Sequence, residues 1–145
     1  MNRPVLRLLV EVFLLAVAVN FPWEMAQSVL YAGMGEWLAA TWRCFIASLG
    51  DGVIVLAIAT AGCVVFRRPD WFVRPRPAIY VYIVTAGIAV AVFIERRAIA
   101  AGRWNYTDRM PIVPILDVGL VPVLQMAMLP PLVLAVAANW SKERR

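Results

Sequence analysis

Four long apolar stretches, separated by short polar or basic segments, organise the chain, and each is long enough to cross a bilayer as a helix. The first runs from about Val5 to Trp23, with Arg7 and Glu11 near its start and Asn20 and Pro22 near its end. The second runs from about Cys44 to Phe66 around Gly50-Asp51-Gly52 and stops at Arg67-Arg68-Pro69-Asp70. The third covers about Ala78 to Ile94. The fourth covers about Pro111 to Asn139, where Pro114, Pro122, Pro130 and Pro131 predict kinks or local unwinding. Residues 24–43 are less hydrophobic, so they are expected to prolong the first helix and then lie along the membrane interface. The pattern predicts an all-α fold: one integral-membrane four-helix bundle, a single transmembrane domain over residues 1–145, with a kinked fourth helix.

Composition agrees with that pattern. Of 145 residues, 63% are hydrophobic and 16% charged, and the four spans leave no length for a separate soluble catalytic domain. Arg3 and Arg7 ahead of an apolar run ending near Ala16-Val17-Ala18 imitate a secretory signal, yet the run is long enough to be read as a span. If four helices cross, nine cations fall on one side (Arg3, Arg7, Arg67, Arg68, Arg74, Arg76, Lys142, Arg144, Arg145) and five on the other (Arg43, Arg96, Arg97, Arg103, Arg109). The positive-inside rule then places both termini in the cytoplasm. Trp71 and Trp140 are expected at the inner interface, and Trp23, Trp37, Trp42 and Trp104 at the outer one. The net charge of +5 comes from short clusters between spans, which argues against a nucleic-acid partner.

The chain has no histidine, which excludes His-ligated haem, His-containing zinc sites and Ser-His or Cys-His catalysis within it. Cys44 and Cys63 lie toward opposite ends of one helix, too far apart for a disulfide, and read as packing residues. No metal or other cofactor is implied. Carboxylates, amides, arginines and aromatics must carry any chemistry.

Those groups recur at one height. Counted from the last inner cation, Glu24 lies about 25 Å above Arg7, Asp51 about 24 Å above Arg67, Glu95 about 28 Å above Arg76 and Gln125 about 25 Å above Lys142. On the first helix Asn20, Glu24, Gln27 and Tyr31 fall within an arc of roughly 60°, a polar stripe on an apolar helix. Polar groups in lipid are expensive, so the stripe should face the bundle interior and meet Asp51, Glu95 and Gln125. Snorkelling of each carboxylate toward water competes with that reading. Glu11 is explained by an i, i+4 pair with Arg7. Asp117 is either interfacial or part of the site.

The segment Gly102-Arg103-Trp104-Asn105-Tyr106, followed by Met110-Pro111 and Pro114, combines a guanidinium, aromatic rings and rigid turns over the outer end of the bundle. It reads as a lid or headgroup clamp in which Arg103, Trp104 and Tyr106 bind substrate. Arg96, Arg97, Arg103 and Arg109 can donate paired hydrogen bonds to a lipid phosphate, or else pair with Glu95 and Asp108. Ala57, Ala61, Gly62 and the run from Ala86-Gly87 to Ala91 read as helix-packing contacts, and Met126 and Met128 as core filler.

Trp23-Glu24 with Gln27 and Tyr31, then Gly50-Asp51, Glu95, Gly102-Arg103-Trp104 with Tyr106, Met110-Pro111 and Pro114 form a pattern spanning most of the chain. It resembles a family of small, functionally uncharacterised four-helix proteins of the bacterial inner membrane. The resemblance implies a multi-pass topology in the inner (plasma) membrane and no particular activity. Lipoprotein signal peptidases and small multidrug transporters are similar in size, but their motifs are not found here.

The leading expectation is an outer-half cavity bounded by Glu24, Gln27, Asp51, Glu95 and Gln125 that accepts a lipid or isoprenoid amphiphile. Glu24, Asp51 and Glu95 are the catalytic candidates, and Asn20, Gln27, Tyr31, Arg103, Trp104, Tyr106 and Gln125 the substrate-binding ones. A carboxyl kept neutral by burial would give a proton while a neighbour near an arginine stays ionised and takes one, as in isomerisation, cyclisation or hydrolysis. Proton-coupled transport of a small solute and a non-catalytic subunit or assembly factor are the alternatives. The small size leaves room for a homo-oligomer or a membrane-protein partner beside the membrane lipids.

Overall fold

The four apolar stretches become four helices: α1 (Arg3–Gln27), α2 (Trp37–Val65), α3 (Pro77–Ala100) and α4 (Leu120–Glu143). All four are long and apolar enough to cross a membrane. The computed structural model describes residues 3–74 and 76–143. Of the cations counted above, Arg144 and Arg145 lie outside the described residues, and so does the side chain of Arg3.

Helix bounds depart from the expected spans where local chemistry overrides average hydropathy. The first helix continues through Pro22 to Gln27 and tightens into a 3-10 turn at Ser28–Leu30, so Glu24 and Gln27 are helical. Residues 24–43 are thus not one interfacial segment. After a turn with positive φ at Gly33 and Gly35, α2 begins at Trp37, well before Cys44. The polar Thr41 and Arg43 and the tryptophans Trp37 and Trp42 lower the hydropathy of its first turns without opposing a helix. At its other limit, α3 opens on Pro77, whose fixed φ suits a first helical position, and runs past Ile94 to Ala100.

The fourth span starts late. Residues 111–119 form a small antiparallel hairpin, β1 (Ile112–Val113) against β2 (Val118–Gly119), which adds a strand pair to the expected all-α fold. Pro111 and Pro114 lack the amide donors that a helix interior requires. Asp117 takes a φ of 50° in the hairpin turn, exposed to its surroundings, and α4 begins directly after β2. Pro122 falls in the first turn of α4, where a missing N–H costs no helical bond.

Pro130 and Pro131 lie inside α4, which stays helical through both. Pro130 leaves the carbonyl of Met126 without its helical donor. That same carbonyl meets Gly87 of α3, where an added Cβ would overlap the oxygen. The proline on one helix and the glycine on the other therefore belong to one close approach, of the kind small residues permit between apolar helices. Met128, expected in the core, is 56% exposed instead.

The helices pack in the order α2, α1, α4, α3: α1 lies against α2 and α4, α3 lies against α4, and α2 and α3 touch far less. In the half that holds the start of α1 and the end of α4, Val12, Ala16, Val55, Ile58, Ala59, Ile83, Val133 and Leu134 form the main core. Trp71 seals this end. It is buried within the protein, donates its indole N–H to the carbonyl of Ala59 at 2.9 Å and stacks on Phe66. Here α3 also reaches α2, through the Tyr82 hydroxyl donating to the Ile58 carbonyl at 3.1 Å. The opposite half has only a small cluster of Ala91, Val118, Val123 and Met126.

Gly87→Ala should lower the unfolding free energy by about 1–3 kcal/mol through overpacking against α4. Gly50→Ala, whose added Cβ would meet nothing within 4 Å, should be neutral or stabilising by up to about 1 kcal/mol. Circular dichroism melts of the two variants in detergent test this, and equal stabilities would remove Gly87 as the point where α3 meets α4.

Candidate functional site

The loosely packed half of the bundle contains a cavity of about 730 Å³ between the ends of α1 and α3 and the beginnings of α2 and α4. Glu24 and Gln27 line it from α1, Asp51 from α2, Glu95 from α3 and Gln125 from α4. Carboxyl and amide groups from four helices thus share one space. Along α2, Arg43, Ala47, Gly50, Asp51 and Ile54 recur at helical spacing on the cavity side.

Gln125 is the hub of the first cluster. Its amide nitrogen lies 2.8 Å from Asn20 Oδ1, 2.8 Å from Glu24 Oε1 and 2.9 Å from Asp51 Oδ2. Asn20 is oriented for this by donating its own amide to the Ala16 carbonyl one turn back, at 2.8 Å. Gln27 completes the cluster, donating to Glu24 Oε1 at 2.6 Å and to Gln125 Oε1 at 2.8 Å. The Glu24 and Asp51 carboxyls are thereby set against the same amide nitrogen. An amide nitrogen has two hydrogens, so Gln125 cannot satisfy three acceptors by itself.

Glu95 sits in a second cluster, built from loops. Tyr31 donates to its Oε1 at 3.4 Å, Trp104 donates its indole N–H to Oε2 at 3.2 Å, and the Tyr106 hydroxyl donates to Oε2. The Tyr106 oxygen in turn accepts the amide of Gly119 at 2.9 Å. The C-terminus of α3 explains how Trp104 returns to Glu95. Gly102 at φ 63° closes the helix, with Gly102 N bonded to Ile99 O and Arg103 N to Ala98 O, a Schellman motif that folds the chain back over its own last turns. Tyr31 arrives by a different route from the one its helical spacing suggested. It follows α1, and a β-bridge to Tyr106 places it, reinforced by Ala32 N to Asn105 O and Thr107 N to Leu30 O.

Burial, and after it the nearby Glu95 carboxyl, pushes the Tyr31 hydroxyl well above the usual phenol range. Burial and the bond to Glu95 do the same for Tyr106. Both hydroxyls consequently stay protonated and serve as donors.

Among the described residues, the ion pairs are Arg7–Glu11 at 2.9 Å, as expected from the sequence, and Arg68–Asp70 at 3.2 Å. Among the described residues no Lys or Arg nitrogen comes within 4.0 Å of Glu24, Asp51 or Glu95. Arg103 and Trp104 stand on the cavity wall, whereas Asn20 and Tyr106 lie behind it and hold Gln125 and Glu95 in place. Arg96, Arg97, Arg109 and Asp117 do not line it. Sequence reasoning missed Arg43, whose Nη1 donates to the Gly33 carbonyl at 2.6 Å, and its neighbour Trp42. The spacing of Arg43 to Asp51 was the available signal, hidden by placing the start of α2 too late. Both cysteines are free, and Cys44 donates to the Glu24 carbonyl at 3.4 Å. Among the described residues no group of three or more Cys, Asp or Glu side chains is arranged to hold a metal ion.

No family model matches this chain, and comparisons with curated proteins and with solved structures find no match either. Function is therefore argued from the site itself.

Gln125→Leu should destabilise the bundle by about 1–3 kcal/mol, because it strips a donor from buried acceptors on two other helices. Unchanged unfolding in detergent would contradict the hub. In an alkaline titration followed by tyrosinate absorbance, Tyr31→Phe and Tyr106→Phe should leave the rise near pH 10 intact. A smaller rise in either variant would mark that hydroxyl as an ordinary exposed phenol.

Proposed function

We propose that this chain is a multi-pass protein of the bacterial inner membrane that binds a lipid-like amphiphile in the outer half of the bilayer and exchanges a proton with it. The carrying observation is that three carboxyls from three helices line one cavity with no Lys or Arg nitrogen of the described residues within 4.0 Å of them. Intramembrane acids of this kind are costly and normally serve a function. The cavity volume lies within the range of small-molecule sites. The excess of basic residues at the opposite end supports cytoplasmic termini, which puts the cavity toward the periplasm.

Charge assigns the roles. The four amide hydrogens of Gln27 and Gln125 serve Asn20, Glu24, Asp51 and Gln125 Oε1, but two carboxyls set against one amide nitrogen repel when both are ionised, so one proton shared by Glu24 and Asp51 makes that pair the acid. Glu95, receiving three donors from Tyr31, Trp104 and Tyr106, is the base. Positioning on four helices and two pinned loops holds acid and base on one bound head.

The packed half of the bundle favours this reading over proton-coupled transport, since Trp71 and the main apolar core fill the space a pathway would need. The full chain purified in mild detergent should retain one amphiphile class, identified by mass spectrometry of the extract. Glu24→Gln with Asp51→Asn should reduce it about tenfold or more while helix content is kept. Retention by the double variant overturns the proposal, as does chain-dependent proton flux into liposomes. A reporter fused after Arg145 should be active in the cytoplasm.

A further inference from the structure

The amide, phenol and indole groups around the three carboxyls spend their donors within the cluster and leave an acceptor open, while Arg43 and Arg103 stand elsewhere on the cavity wall, more than 4.0 Å from those carboxyls. Both amide hydrogens of Gln27 go to Glu24 and Gln125, those of Gln125 go to Asn20 and the carboxyl pair, and Tyr31, Trp104 and Tyr106 all donate to Glu95. Gln27, only 4% exposed and on the cavity wall, nevertheless has an Oε1 with no hydrogen-bond partner. Trp23 Nε1, the other buried polar atom without a partner among the described residues, belongs to a side chain that does not line the cavity. An occupant that satisfies this wall must bring donors and, beside unpaired carboxyls, positive charge. An ammonium group has three donors and no acceptor. With one proton shared by Glu24 and Asp51, the pair carries the single negative charge that an ammonium neutralises.

The apolar part of the wall says where the rest of the molecule goes. Between α2 and α3, which touch less than the other neighbouring helices of the bundle, Ile46, Ala47, Gly50 and Ile54 line the cavity from α2, and Ala91 and Ile94 from α3. Gly50 is exposed there, and a Cβ added to it would meet nothing within 4 Å. That gap accommodates an alkyl chain leading from the polar cluster toward the surrounding lipid.

We infer that the occupant is a long-chain primary amine, with its ammonium group among Glu24, Asp51 and Gln27 and its chain leaving between α2 and α3. The inference rests on the amphiphile reading above. Two sources offer this chemistry, an amine-bearing lipid headgroup and a free alkylamine. Arg103 on the cavity wall suits the phosphate of the former.

Titration of the full chain in maltoside micelles with dodecylammonium, dodecyltrimethylammonium and dodecanol, followed by tryptophan fluorescence, tests this. Dodecylammonium should bind about tenfold tighter than either competitor, since only it brings both charge and N–H donors. Equal binding of dodecanol overturns the amine while sparing the amphiphile site, and binding by none of the three overturns both. Equal binding of the trimethyl compound also overturns the inference, because a quaternary head has nothing for Gln27 to accept. Gln27→Leu should erase the preference for the primary over the quaternary head, and an unchanged preference counts against it. Gly50→Trp, checked for helix content, should weaken dodecylammonium and spare butylammonium; undiminished binding of the long chain overturns the route between α2 and α3. In nanodiscs, displacement of dodecylammonium by phosphatidylethanolamine but not phosphatidylglycerol supports the inference with a lipid headgroup as the source. Persistent dodecylammonium binding in its presence supports a free alkylamine.

Discussion

A polar side chain on an apolar helix has to find its hydrogen bonds on another helix, and in this bundle that requirement converges on Gln125. Its amide nitrogen touches side chains of α1 and α2, and its carbonyl accepts from Gln27. Any shift of α4 along its axis would break several of these bonds at once. The apolar faces alone would tolerate sliding, since aliphatic contacts carry little directional information. The polar cluster thus sets the register of the helices, and the same groups then constitute the chemistry of the cavity.

The two halves of the bundle divide the labour of structure and site. Near the chain termini, small and branched side chains fill the interior, and Trp71 folds in to close it. Toward the other end the axis shared by α1 and α4 is held by the polar cluster, and α2 and α3 are left apart. Pro130 and Gly87 bring α3 and α4 together at Met126, one residue from Gln125, so a close helix approach sits next to the polar hub. The cavity is in this sense a consequence of where the close contacts are made.

Glu95 depends on a different kind of support. Its three partners come from the connections after α1 and α3, which are tied by the Tyr31–Tyr106 bridge. The Schellman turn at Gly102 reverses the chain so that Trp104 can reach back down α3. Rigid helices position the Glu24–Asp51 pair, whereas cross-linked loops position the groups around Glu95.

The sequence by itself determined the number of helices and that Glu24, Asp51, Glu95 and Gln125 stand toward one end of them, because apolar runs and rise per residue are local properties of a chain. It also determined the polar stripe of α1 and the Arg7–Glu11 pair, which follow from spacing along one helix. It did not determine the start of α2 at Trp37 or the hairpin at residues 111–119, where caps, prolines and tertiary contacts outweigh average hydropathy. Only the tertiary structure decided that Asn20 and Tyr106 stand behind the wall, that Arg43 joins it, that Trp71 is buried, and that α2 and α3 part to leave a cavity. Those outcomes depend on which faces of separate helices meet, and neither composition nor periodicity within one segment carries that information.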